Sequence, residues 1–230
     1  MSSSIKGKPE PTSRLHPSAV PVAMPSVLDS MLATLAKQPF SNPAWLFEPK
    51  WDGFRALCFL QNGGVRFVSR NRRSLTERFP DLQRIAKSIR ATSAVLDGEI
   101  VALDTDGIPC FDGLRSGRTA KGCVIVYYAF DLLHLDGSDL TQSPLISRKV
   151  ALKKILPKRE TGRVRYTEHV VGEGESLFVE LERRQLEGMV AKRCDSVYIG
   201  GRTRAWLKVK TSAGREEMRK RSEAWGLEKS

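Results

Sequence analysis

The sequence predicts an α+β protein, and three observations carry that reading. Strand-like apolar stretches come in pairs around turn residues, as in Phe54–Gln61 and Val65–Ser69 about Asn62-Gly63-Gly64. Stretches with helical spacing fall singly between them and do not alternate regularly with strands, so a βαβ series is not expected. The longest apolar run, Val124 to Phe130, has the length of a buried strand, far short of the roughly 20 residues that cross a membrane. A chain of 230 residues, 40% hydrophobic and 28% charged, holds one domain with a well-buried core plus tails.

Taken in order, residues 1–25 are rich in Ser, Pro and Lys without periodicity and read as a flexible arm. Val27–Gln38 reads as a short helix, because Leu28, Met31, Leu32 and Leu35 share a face at helical spacing. The segment 45–69 reads as β structure. Leu75–Arg90 has helical spacing, with Ser74 or Thr76 as its cap. Ala94–Asp104 and Val124–Leu133 read as strands. Pro144 opens a helix to Leu156, since proline suits a first turn. Gly174–Gln185 reads as a further helix, Met189–Arg193 and Ala205–Lys210 as the last strands, and 213–225 as a charged helix.

Bulk chemistry narrows the function classes. Thirty-eight Lys and Arg against 26 Asp and Glu give a net charge of +12, which suits a polyanionic partner through phosphate contacts. The cysteines at 58, 110, 123 and 194 lack zinc-knuckle or C-x-x-C spacing, and the histidines at 16, 134 and 169 are scattered, which argues against a His-based metal site or triad. No apolar signal-peptide core stands at the N-terminus, so the cytoplasm is the default location and no membrane partner is expected.

Six short segments carry chemistry. Lys50-Trp51-Asp52-Gly53-Phe54-Arg55 sets a lysine between acids, a glycine and an arginine, as a covalent amine nucleophile requires; a strand-edge turn is the plainer alternative. Such an amine attacks only when neutral, and nearby cations would lower its pKa from the free value of roughly 10.4. Lys192, Lys208 and Lys210 are the candidates, so the attack should titrate below that value. Ser69-Arg70-Asn71-Arg72-Arg73-Ser74 is a basic turn fit for phosphates or simply solvated. Asp97 and Glu99 lie in an apolar strand, where a carboxylate must be paired or ligand-bound. Phe130 ends an aromatic strand segment and either stacks on a base or packs in the core. Glu187 precedes a strand that carries Val190 and Lys192 on one face. Lys208 and Lys210 share a face of the last strand, opposite Leu207 and Val209, and would repel unless an anion sits between them.

In this order the six segments resemble the signature set of covalent nucleotidyltransferases: ATP-dependent DNA ligases, RNA ligases and mRNA capping enzymes. The likeness is strongest to the adenylation domain of bacterial ATP-dependent DNA ligases of the ligase D type. It extends from about Ser30 to Lys210 through Met31-Leu32-Ala33-Thr34-Leu35, Trp45-Leu46-Phe47-Glu48, Thr76-Glu77-Arg78-Phe79-Pro80, Phe130-Asp131-Leu132-Leu133 and Gly201-Arg202. The resemblance implies an ATP-grasp-like nucleotidyltransferase fold of antiparallel sheets flanked by helices, with 26–210 as adenylation domain and 211–230 as helical tail. It implies that Lys50 attacks the α-phosphorus of ATP to give a lysyl–AMP phosphoramidate. Glu48 would sit at the adenine edge, and Phe130 would stack on adenine. Arg55 and Arg70 would contact the sugar or the nick phosphate. Glu99 would hold the ribose or, with Glu187, a Mg²⁺ or Mn²⁺ ion. Lys192, Lys208 and Lys210 would hold phosphates. The implied partners are nicked double-stranded DNA and a protein supplying an OB-fold or DNA-binding module, because the 20 residues after Lys210 are too few for that five-stranded barrel. A naturally minimal ligase is the expectation. A non-catalytic nucleotide- or DNA-binding remnant and an RNA-joining or capping-type enzyme stand as alternatives.

Overall fold

The computed structural model describes residues 22–110, 114, 122–158 and 162–227; most of the arm expected at 1–25 lies outside them. Among the described residues eleven strands form two sheets, ordered β1-β11-β10-β2-β9 and β4-β3-β5-β6-β7 with β8 on β6. The first sheet comprises β1 (Met31–Leu35), β2 (Trp45–Pro49), β9 (Val170–Val171), β10 (Gly188–Arg193) and β11 (Gly201–Lys210). The second comprises β3 (Phe54–Gln61), β4 (Gly64–Ser69), β5 (Ser93–Leu103), β6 (Val124–Leu135), β7 (Ser138–Asp139) and β8 (Val164–Tyr166). A 3₁₀ helix (Pro80–Ser88) and helices α1 (Leu145–Ile155), α2 (Gly174–Arg183) and α3 (Ser212–Leu227) lie beside the sheets among the described residues. The α+β class, the hairpin and the later helices agree with the sequence reading. None of these helices is long and apolar enough to cross a membrane.

Three expectations are corrected. The sheets are mixed rather than antiparallel, since β1 runs parallel to β11 and β8 parallel to β6. The helix expected at Val27–Gln38 is β1: Met31, Leu32 and Ala33 pair with Gly201, Arg202 and Thr203, and the edge of β11 supplies a ladder that local spacing does not reveal. The helix expected at Leu75–Arg90 is only the 3₁₀ turn from Pro80, because proline pushes Phe79 out of the helical region, to φ −125° and ψ 64°. Thr76 caps no helix; its hydroxyl accepts from the Phe67 amide of β4.

Period-two alternation decides which side chains face the cleft between the sheets. In the first sheet Phe47, Met189, Ala191, Leu207 and Val209 pack toward α2, in a cluster with Leu181. Their neighbours Glu48, Val190, Lys192, Trp206 and Lys208 therefore face the other way and line the cleft. In the second sheet Ala56, Cys58, Leu96, Ile100 and Tyr127 fill the largest core with the 3₁₀ helix and α1. The opposite face joins Leu57, Phe59, Val95, Phe130 and Leu133 to Met31, Tyr198 and Trp206. That second cluster welds the two sheets beside the cleft.

Candidate active site

A cavity of about 410 Å³ opens between the sheets, lined among others by Glu48, Lys50, Arg55, Arg70, Glu99, Phe130, Lys192 and Lys208. Eight of the ten residues singled out from the sequence thus meet at one cavity. The other two stand beside it: Glu187 is bonded to Lys50, and Lys210 is paired with Glu187.

Lys50 follows β2 at the cavity edge. Its amide donates to the Gly188 carbonyl at 2.8 Å, which ties the turn to the start of β10. Its Nζ donates to Glu187 Oε2 at 2.5 Å, and Lys210 Nζ lies 3.5 Å from the other oxygen of the same carboxylate. The next residue, Trp51, stacks on Tyr128 at 4.0 Å and 15° and donates Nε1–H to Thr167. Gly53 is there because nothing larger fits: a Cβ would sit 2.1 Å from the Ile100 carbonyl oxygen. The motif is therefore pinned on one side to β10 and on the other to β5 and β6, with the lysine between.

The cations expected around Lys50 divide. Lys208 is close enough that, after burial, Lys50 and Lys210 are the main causes lowering its pKa. Lys192 is committed elsewhere: it is buried, its Nζ bonds Glu48 Oε2, and it lies over the Phe130 and Trp206 rings at 4.1 and 4.3 Å. Phe130 is 9% exposed and also carries Arg55 at 5.3 Å, so it offers the cavity little open ring. Arg55 makes a two-point bond to Asp97, whose Oδ2 also accepts from the Tyr198 hydroxyl; the carboxylate holds its guanidinium firmly charged against the opposing effect of burial. Arg70 sits in the tight turn after β4, where Arg72 takes a positive φ of 59°. Among the described residues no ion pair engages Arg70, Arg202 or Lys208, leaving three cations for an anionic guest.

Burial pushes the Glu99 carboxyl up to about 8, although Lys50 and Arg55 pull it down; Glu187 and Asp97 push the same way as burial. Glu187 is thus bonded to the Lys50 amine, and Glu99 lines the same cavity within reach of its charge. Among the described residues no three His, Cys, Asp or Glu converge as a metal cluster. A pair of carboxylates beside a phosphate-sized space still fits Mg²⁺ or Mn²⁺, which keep several waters and use one or two carboxylates together with substrate oxygens.

Sequence reasoning gave no site role to three groups here, and named Asp97 as an acid in need of a partner without naming the partner. Lys149 of α1 reaches Glu48 from behind the cavity wall. Asp97 and Tyr198 fix Arg55. Arg202 lines the cavity from β11. Arg202 stood in the Gly201-Arg202 pair and Asp97 among the strand acids already singled out; Lys149 and Tyr198 are reached only through contacts that span 101 positions.

The cleft between two mixed sheets, with a lysine on a carboxylate and free cations opposite, defines a nucleotidyltransferase-like site. The family described as "ATP dependent DNA ligase domain" matches residues 30–210, and the chain belongs to it. It is 32% identical over 194 residues to the "multifunctional non-homologous end joining protein LigD" of Pseudomonas aeruginosa, covering 84% of this chain and 23% of that protein. To the LigD of Mycobacterium tuberculosis it is 36% identical over 168 residues, 72% of this chain and 21% of that protein. The chain thus spans about a fifth to a quarter of these relatives. Among solved structures, mycobacterial DNA ligase D complexed with ATP and MES superposes with a TM-score of 0.69 at 33% identity, over 80% of this chain and 60% of that one. The Chlorella virus DNA ligase–adenylate, at 20% identity and a TM-score of 0.57 over 80% of this chain and 69% of that one, shares the fold.

Proposed function

We propose that this chain accepts an adenylyl group from ATP on Lys50 as the first step of DNA joining, with nicked double-stranded DNA as the eventual substrate. The observation that supports this most is the placement of the Lys50 amine: it is bonded to Glu187 at a cavity large enough for a nucleotide, whose lining also holds Glu99 and cations that have no carboxylate partner among the described residues. Nζ must shed a proton before it attacks. Once neutral it releases Glu187, and Lys210 remains as that carboxylate's counter-charge. The N–P bond forms as the P–O bond to pyrophosphate breaks, and a second proton leaves the nitrogen, passing like the first to solvent through the open cavity. Arg70, Lys208 and Arg202 bind the polyphosphate, drawn also by the charge of Lys192 in the cavity wall; Arg55, fixed by Asp97, addresses the sugar or the nick phosphate; Phe130, with Glu48 behind it, bounds the base site. Glu99 and Glu187 would hold a divalent metal ion, which when bound neutralises charge on the transferring group. Positioning and fixed charge do the remaining work. Nick sealing draws on DNA grip from an OB-fold or comparable module of a partner or a further part of the protein.

Incubation with α-labelled ATP and Mg²⁺ or Mn²⁺, followed by denaturation, tests this. An acid-labile AMP adduct that vanishes in Lys50→Ala is expected. Absence of adduct with either metal refutes the reading, and an adduct formed preferentially from GTP transfers the chain to the capping-type class.

A further inference from the structure

Lys149 is a fully buried ammonium that does not touch the cavity, yet it is bound to a residue that does. Its Nζ donates to Glu48 Oε1 at 2.5 Å and to the Thr167 carbonyl at 2.8 Å, and lies 4.2 Å from the centroid of the Tyr166 ring. Burial lowers the Lys149 pKa against the pull of Glu48, and three partners for its three N–H donors hold the amine in its charged form. Glu48 gives its other oxygen to Lys192, which lines the cavity. Burial alone would raise the Glu48 carboxyl, but the two ammoniums outweigh it and keep the group ionised. One carboxylate therefore serves two lysines, and the buried triad carries a net positive charge.

We infer that Lys149 is a positioning residue for nucleotide binding: by taking half of Glu48 it leaves Lys192 only partly neutralised, so that Lys192 draws the nucleotide's phosphates from the cavity wall. Without Lys149, Glu48 and Lys192 form a closed neutral pair, and the wall loses one unit of positive charge where dielectric screening is weak. This inference rests on the cavity being the nucleotide site.

The full-length chain is assayed for adduct formation against ATP concentration as parent, Lys149→Met, Lys149→Arg and the double variant Lys149→Met with Glu48→Gln. Lys149→Met raises the half-saturating ATP concentration on the order of tenfold, the effect of one weakly screened charge, with little change in maximal rate. Lys149→Arg recovers most of that loss. The double variant also recovers it, because Lys192 is freed of its counter-ion; a residue that mattered only for packing would give a double variant worse than the single. An unchanged half-saturation in Lys149→Met, or a double variant weaker than Lys149→Met, overturns the inference. If Lys149→Met does not fold, Lys149→Gln decides: it keeps an N–H donor toward Glu48 without the charge, so its half-saturation rises as for Met, and an unchanged value overturns the inference. Inorganic tripolyphosphate affinity, measured by calorimetry on the same variants, follows the same order and needs no chemistry. A parent that binds tripolyphosphate but forms no adduct therefore defeats the proposed reaction and not this role of Lys149, whereas equal tripolyphosphate affinities in parent and Lys149→Met defeat the role.

Discussion

Replacing Glu99 by glutamine should make the ligand-free protein more stable at alkaline pH, and the structure sets both sign and size. The Glu99 carboxyl is raised to about 8 from an ordinary value of 4.5, chiefly by burial. Between those values the folded state holds a proton that the unfolded chain releases, so stability falls as pH rises through the window. Below about 4.5 both states are protonated and the group contributes no slope; above about 8 both are ionised and the full cost of the buried charge is present. Each pKa unit corresponds to about 1.4 kcal/mol. Glu99 keeps part of its surface in the open cavity, and solvent screening there reduces the total to on the order of 2 kcal/mol. The glutamine amide cannot ionise and escapes that cost. For a chain of this size about 2 kcal/mol is a rise of roughly 4–8 °C in melting temperature. Thermal unfolding of parent and Glu99→Gln from pH 4.5 to 9 tests the point: the curves should converge near pH 4.5 and diverge to that gap by pH 8.5. Parallel profiles, or a variant less stable at pH 8.5, would refute the placement of Glu99 as a desolvated acid. The same linkage makes a cation at Glu99 compete with a proton, so its affinity should tighten with pH up to about 8.

Three further outcomes follow from the packing. Gly53→Ala drives a methyl group to 2.1 Å from the Ile100 carbonyl oxygen and should cost about 3 kcal/mol in urea unfolding; a loss below about 1 kcal/mol would mean that the lysine turn is not held against β5. Arg148→Met leaves Asp131 buried without its two-point partner and should cost roughly 3–5 kcal/mol, with Asp131→Asn in the same chain recovering part of it; a neutral Arg148→Met would show the pair to be dispensable. Cys110 and Cys123 have their sulfur atoms 2.8 Å apart, so limited treatment with diamide should remove two titratable thiols together, whereas Cys110→Ser should keep Cys123 reactive.

The sequence disclosed most of the strands of the second sheet because their signals are local. Asn62-Gly63-Gly64 fixes the β3–β4 hairpin, with Asn62 and Gly63 at φ 53° and 74°, and the run before Phe130 is too apolar to lie anywhere but inside. The first sheet was harder to read because its pairings are remote. β1 lies against β11 about 170 residues later, and five residues carrying Met31, Leu32 and Leu35 satisfy a helix or a strand equally until that partner is known. The 3₁₀ turn illustrates the reverse case: Pro80 was a legible stop signal for the preceding residues, and helical periodicity masked it.

The site divides along the same line. Residues that face a guest stand in short contiguous segments, because a turn or strand face presents neighbours together; Lys50 with Arg55, and Lys208 with Lys210, were readable for that reason. Residues that set the charge of those groups come from elsewhere in the chain. Glu48 looks from the sequence like a free carboxylate beside a base, but folding brings Lys149 from α1 and Lys192 from β10 to its two oxygens. Asp97 looks like a strand acid and becomes the anchor of Arg55. A buried carboxylate must find counter-charge, so the sequence could announce that Glu48 and Asp97 would have partners; only the topology decides which cations are consumed in that way and which, like Arg70 and Lys208, remain for a ligand. The balance between consumed and available cations fixes the net field at the cavity, which is why the net charge of +12 indicated a polyanionic guest without locating its site.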